Sequence, residues 1–269
     1  TLKVAFFRPV SGLNEELQEK YEANRFTCTR QFAYSPNNRN TIDMVLSVNG
    51  IPLVALELKN QYTGQSVENA LVQYQQNRNP KELVFNFNRR FLVYFAVDHY
   101  EVYMTTKLAG NKTYFLPFNQ GSKGPGNNGG QGNPQNPDGY PTAYLWEQVL
   151  QRDHLMDVFQ RFMNLEVKKE KQDGKEITKK TLIFPRYHQL DVVRKLIADV
   201  KMKGSGENYL IQHSAGSGKS NSIAWLAYHL ASAHDKEDHP IFASTIIVTD
   251  RTVLDRQLQN TILSFDHTT

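Results

Sequence analysis

The segment 41–59 limits the fold of this chain more than any other stretch. It reads Thr-Ile-Asp-Met-Val-Leu-Ser-Val, then Asn49-Gly50, then Ile-Pro-Leu-Val-Ala-Leu-Glu-Leu-Lys. Asn-Gly between two apolar runs is a strong hairpin signal, because both residues accept the positive φ that a tight turn demands. Residues 41–48 and 51–59 are therefore expected to be antiparallel strands. The second is almost continuously apolar, as a strand covered on both faces would be. Yet it ends in Glu57 and Lys59, and its partner begins with Asp43 close to its start. Burying charge is costly, so a task is expected for these groups.

Side chains alternate along a strand, so Glu57 and Lys59 share a face. The position of Asp43 depends on the turn. A two-residue Asn49-Gly50 loop would pair Asp43 with Leu56, on the face opposite Glu57. A three-residue loop ending in a left-handed Gly50 pairs Asp43 with Ala55 and sets it diagonal to Glu57. A bulged turn is expected on that ground, with two carboxylates and an ammonium converging. Paired carboxylates offer hard oxygen ligands to Mg2+. A metal so held activates water and neutralises charge on a phosphodiester. Lys59 would position the water or stabilise the developing charge. The competing reading is a set of salt-bridged residues at a strand end, because an isolated D…ExK pattern is short.

The surrounding elements complete a mixed α/β unit over residues 1–165. Leu13, Leu17 and Tyr21 recur at helical spacing and predict a helix over 12–23. Strands are expected at 26–33, 90–97 and 100–106. Ser66 caps a helix reaching Asn77, with Glu68 complementing the helix dipole. Two more helices are expected over 142–150 and 153–165. Residues 120–139 are almost all Gly, Asn, Pro and Gln, which predicts a flexible loop; an insertion with no task is the competing reading. The charge-dense stretch 166–180 is expected to be an exposed connector.

A second constellation follows in 181–269. His213-Ser214-Ala215-Gly216-Ser217-Gly218-Lys219-Ser220 lies between an apolar run, 209–212, expected to be a short buried strand, and a helix with Ile223, Ala224, Leu226, Ala227 and Leu230 on its apolar side. Strand, glycine loop and helix in that order make a P-loop. Gly216 and Gly218 let backbone N–H groups close around a phosphate, and the helix N-terminus adds positive potential. Lys219 would contact the β- and γ-phosphates, and Ser220 would ligate Mg2+. ATP and Mg2+ are thus the expected cofactors.

Composition narrows the class without choosing the function. Hydrophobic residues at 39% and charged residues at 22% indicate a folded, water-facing chain. No apolar run approaches the roughly 20 residues of a membrane span, so no membrane partner is expected. A single cysteine, Cys28, excludes an intrachain disulfide and suits a reducing cytoplasm. A net charge of +4 is compatible with nucleic acid without demanding it. The missing initiator Met suggests a piece of a longer chain.

With Asp43 on the second strand and Glu57-x-Lys59 on the third, the order of elements resembles the PD-(D/E)xK nuclease fold. No Pro precedes the aspartate, where Thr41-Ile42-Asp43 stands instead. RecB-like nucleases carry Gln-x-x-x-Tyr on the next helix. Here Gln73-Tyr74-Gln75-Gln76-Asn77 keeps the glutamine and replaces the tyrosine, so the resemblance implies that Gln73 assists the site. Phe184-Pro-Arg-Tyr-His-Gln189 resembles the Q motif of superfamily 2 helicases, implying an adenine contact by Gln189. The run from Thr245 to Gln257 is similar to a buried strand entering motif Ia, implying DNA-backbone contacts by Thr249 and Arg251. No Walker B acidic pair follows. ATP binding without efficient hydrolysis is therefore expected of this stretch.

Taken together, the chain resembles the motor-and-cleavage subunit of type I restriction enzymes. The likeness runs through Tyr34, Asn49-Gly50-Ile51-Pro52-Leu53, Glu57-Leu58-Lys59-Asn60, residues 90–98, 104–106, 116–119 and 144–147, and then 214–220 and 248–251. It implies a PD-(D/E)xK nuclease-like mixed sheet with flanking helices, followed by the beginning of a RecA-like motor lobe. It further implies Mg2+-dependent endonuclease action coupled to ATP-driven translocation on double-stranded DNA, restricting unmodified foreign DNA. The implied partners are specificity and methyltransferase subunits, in a bacterial or archaeal cytoplasm. Two other readings stand beside it. One is a catalytically inactive nuclease-like platform for DNA binding or assembly, with Asn77 as its sign. The other is a defence helicase that unwinds DNA without restriction.

Overall fold

The computed structural model describes residues 3–10, 13–172, 175–249, 259 and 262. Strands β1 (Phe26–Ala33), β2 (Thr41–Val48), β3 (Ile51–Leu58), β4 (Val93–Val97), β5 (Val102–Thr105) and β6 (Leu116–Pro117) form one sheet in sequence order. Neighbours are antiparallel except β3 and β4, which run parallel. A parallel pair needs a crossover. Here it carries α2 (Val67–Val72), whose last turns widen into a π-helix, Gln73–Asn77.

Two cores flank the sheet, and along β3 and β4 period-two alternation divides the side chains between them. Val54, Leu56, Val93, Phe95 and Val97 face Leu145, Val149, Leu155, Val158 and Phe162, from the helical stretch that includes α3 (Arg152–Asp157). Ile42, Val45, Ala55, Tyr94 and Ala96 face Val67, Ala70 and Tyr74 of the crossover. Glu57, two residues beyond Ala55, falls on the crossover side.

The hairpin carries its bulge in a different place from the expected one. Asn49 (φ 51°) and Gly50 (φ 80°) form a plain two-residue turn, with Val48 opposite Ile51. The ladder slips one step later, from Ser47↔Pro52 to Leu46↔Val54, leaving Leu53 as the extra residue. Pro52 has no N–H to offer the ladder, which favours an irregularity there. The new register runs Val45↔Ala55 and Met44↔Leu56. Asp43 lies one residue past this ladder, its Oδ2 accepting from Leu58 N and its carboxyl beside Glu57. The face predicted for Asp43 is right, and the pairing with Ala55 is not.

Other expectations shift as well. Helix α1 (Glu15–Glu22) starts after an Asn14 cap that accepts from Leu17 N. Of its three marker residues only Tyr21 is buried, and Leu13 lies 82% exposed. Residues 120–139 hold no helix or strand, but the backbone folds back on itself through Gly121 N to Gly132 O (2.8 Å) and Ser122 N to Gly130 O (3.0 Å). Most of the charged connector is a hairpin of β7 (Asn164–Gln172) and β8 (Lys175–Ile183), not an open tether. Its Val, Ile and Thr residues suit extended backbone, and strand pairing satisfies its peptide groups while the charges stay in water.

Beyond the hairpin lie α4 (Tyr187–Lys203) and α5 (Lys219–Ala231). They pack on the sheet unit: Trp225 lies 5.5 Å from the Phe162 ring, and Tyr187 meets Phe118 edge-on at 5.8 Å. On α5 the buried residues are Ser222, Ala224, Trp225 and His229, while Ile223 is exposed. The strand expected at 209–212 is absent, and Leu210 is 95% exposed. The strand expected from Thr245 is absent through residue 249, with Val248 88% exposed. A strand needs at least one hydrogen-bonded neighbour to satisfy its peptide groups; neither segment has one among the described residues. Of the expected motor lobe the described residues show two helices and the loops around them, not a sheet. No helix among them is long and apolar enough to cross a membrane.

Candidate active site on the hairpin

Asp43 and Glu57 in the sheet, Lys59 just past the end of β3 and Gln73, the first residue of the π-helix, come together on the crossover side. Asp43 is fixed at both oxygens: Leu58 N donates to Oδ2 at 2.8 Å, and Gln31 Nε2 donates to Oδ1 at 3.3 Å. Glu57 is fully buried. Its Oε1 accepts from Arg78 Nη2 at 2.6 Å and Nε at 2.9 Å. Its Oε2 is buried with no hydrogen-bond partner. Lys59 Nζ donates to Gln73 Oε1 at 2.5 Å. An open cleft of about 570 Å³ beside these groups is lined by Arg39, Asn40, Thr41, Gln73, Asn77 and Arg78.

Burial pushes the Glu57 carboxyl up to about 7, the nearby Asp43 charge adds to the rise, and Arg78 opposes it. The two carboxyls lie close enough to share a proton, and once Glu57 ionises its Oε2 is left without a donor. A buried acceptor without a donor costs about 1–3 kcal/mol, and a cation would remove that cost. Among the described residues no group of three or more His, Cys, Asp or Glu side chains is placed to hold a metal. The residues still fit Mg2+, which is commonly held by one or two carboxylates and keeps several waters.

Arg78 is the site residue that the sequence reading missed. It is buried, also donates from Nη2 to Thr41 O at 2.7 Å, and stacks on Tyr34 with Cζ 5.3 Å from the ring centroid. It lies one residue past the Gln-x-x-x-Tyr window. Nothing in the sequence marks it, because only a π-helical turn brings positions five apart to one side.

The residues around the glycine loop form a second cluster. Helix α5 starts at Lys219, whose Nζ donates to Ser214 O (2.9 Å) and His213 O (3.2 Å). Gly216 and Gly218 both take positive φ, and a Cβ on Gly218 would lie 2.4 Å from Gln189 Nε2. Gln189 is buried, with Oε1 accepting from Arg186 N and Nε2 donating to Gly218 O, each at 2.9 Å. Its amide therefore braces the loop. His188 Nε2 lies 3.0 Å from Ser217 O. Ser220 is half-buried in the first turn of α5. Thr249 is half-buried outside any regular element, and Arg251 lies outside the described residues.

A carboxylate-bearing hairpin in a mixed sheet, followed in the chain by a glycine loop and helix, is the arrangement of a nuclease-like sheet joined to an ATPase-like segment. Residues 15–113 match the type I restriction enzyme R protein N terminus, and residues 188–269 match the SWI2/SNF2 ATPase family. The chain has the make-up of the N-terminal region of a type I restriction enzyme R subunit. It is 22% identical over 255 residues to a Methanocaldococcus jannaschii protein named as the type I restriction enzyme MjaVIIIP endonuclease subunit. That alignment covers 91% of this chain and 22% of the relative, so the chain spans about a fifth of the relative's length.

Proposed function

We propose that residues 1–165 form a Mg2+-dependent endonuclease domain and that residues 181–269 begin an ATP-dependent motor that moves double-stranded DNA to it. Restriction of unmodified DNA, with specificity and methyltransferase subunits as partners, is the activity proposed for the whole protein. The observation that carries this reading is Glu57 Oε2, buried and unpartnered near Asp43 and beside the Lys59–Gln73 pair. Asp43 and Glu57 would hold Mg2+, which supplies water activation and neutralises charge on the scissile phosphate. Lys59, held by Gln73, orients the water or meets the developing negative charge. Lys219 and Ser220 bind the triphosphate and its Mg2+, and Thr249 and Arg251 touch the DNA backbone.

One observation favours a second reading. Arg78 already places a positive charge on Glu57, as an inactive platform for DNA binding would allow. The test is cleavage of plasmid DNA by the full-length protein with its partners, ATP and Mg2+, with ATP turnover measured in parallel. Glu57→Ala and Lys59→Ala should each abolish cleavage and leave ATP turnover intact. Cleavage that survives both changes would remove the nuclease assignment.

A further inference from the structure

Arg78 spans three parts of the fold at once. Its Nε and Nη2 hold Glu57 Oε1 on β3, Nη2 also holds the Thr41 carbonyl at the start of β2, and the planar group lies over Tyr34. Thr41 is two residues from Asp43, so one guanidinium ties both carboxylate-bearing strands to the end of the π-helix. Both donors that reach Glu57 go to Oε1, and none goes to Oε2. The fork therefore does more than neutralise a buried charge. It fixes the rotation of the carboxylate, so that one oxygen is consumed and the other is left without a donor.

We propose that Arg78 is a positioning residue of the nuclease centre, holding Glu57 by one oxygen so that the other is preset, beside Asp43, for a divalent cation. This inference rests on the nuclease reading of the hairpin. Only a planar group with several fixed donors makes all of these contacts together; an ammonium supplies the charge without the fork. Substitutions of groups that orient a ligand typically lower metal affinity 10–100-fold.

The experiment is Mn2+ binding to the full-length protein without nucleotide, followed by calorimetry, for wild type, Arg78→Lys, Arg78→Ala and Glu57→Gln. Arg78→Lys keeps a cation in the pocket, so it remains informative if Arg78→Ala fails to fold. Arg78→Lys should melt as a folded protein and bind Mn2+ roughly 10–100-fold more weakly, with cleavage recovering as metal is raised. Unchanged or tighter Mn2+ binding by Arg78→Lys overturns the proposal and makes Arg78 a structural strut or a competitor for the site. Glu57→Gln separates the two levels. If it too binds Mn2+ as wild type does, the metal-site reading itself fails; if it alone loses binding, only the role of Arg78 is lost.

Discussion

The ammonium of Lys59 is anchored by the side-chain oxygen of Gln73, 2.5 Å away across the gap between the end of β3 and the start of the π-helical turn. Lys59 is half-buried, and without that strut its flexible stem would sample several rotamers. Gln73→Ala should therefore lower DNA cleavage by roughly tenfold to a hundredfold, the scale on which about 1 Å of misplacement acts. ATP turnover should be unchanged. Equal loss of both activities would mean that Gln73 supports the fold and not the site.

Gly218 is constrained twice, by a φ of +84° and by the Gln189 amide, which a Cβ would approach to 2.4 Å. Gly218→Ala should cost about 1–2 kcal/mol from the left-handed backbone alone and should weaken nucleotide binding. Gln189→Ala removes the clash. The double variant should therefore be less damaged than the sum of the two single changes, in a cycle read by nucleotide affinity. Strict additivity would show that the two residues do not meet.

The turn between β2 and β3 is held by Asn49 as much as by its φ of 51°. Its Oδ1 accepts from Arg25 N at 2.7 Å, and its Nδ2 donates to Val4 O at 2.8 Å and Asn24 Oδ1 at 2.9 Å. Asn49→Ala should destabilise the protein by about 1–2 kcal/mol, since it loses a residue that tolerates the left-handed backbone and the part-buried bond to Asn24. Chemical denaturation would measure it. A loss below about 0.5 kcal/mol would place the turn's stability elsewhere.

Burial holds the His188 imidazole below its ordinary range, and the contact with Ser217 O does not offset this. His213, whose ring lies 5.0 Å away, is lowered by burial and by Lys219. A lowered folded-state pKa means that the unfolded chain takes the proton first as pH falls. The stabilisation is complete above about 6.5, the unperturbed value, and is lost as pH drops through the lower folded values. Thermal unfolding from pH 7.5 to 5.5 should show this loss, and His188→Gln should flatten it. An unchanged slope in the variant would place the titration elsewhere.

The hairpin was legible in the sequence because Asn49-Gly50 and the apolar runs beside it speak through local rules. The bulge at Leu53 was not, because a one-residue slip is decided by how Pro52 and Leu53 settle among neighbouring strands. Asp43 thus reached the expected face by another register. Lys59 and Gln73 could be named from their motifs, whereas Arg78 depends on a π-turn that no residue type announces. In the glycine loop, spacing picked out Gly216 and Gly218, and both take positive φ. The apolar runs near Leu210 and Val248 looked like strands for the same reason that buried strands do. Hydrophobicity alone does not supply the neighbours that make a sheet.

The most direct measurement is the number of Mn2+ ions bound by the full-length protein in the absence of nucleotide, for wild type, Asp43→Asn and Glu57→Gln. Without nucleotide the triphosphate's metal is not recruited, so the hairpin should account for the tight site. One tight ion is expected in wild type and its loss in both variants, with melting curves that remain cooperative. Retention of that ion in both variants would contradict a metal centre built on Asp43 and Glu57.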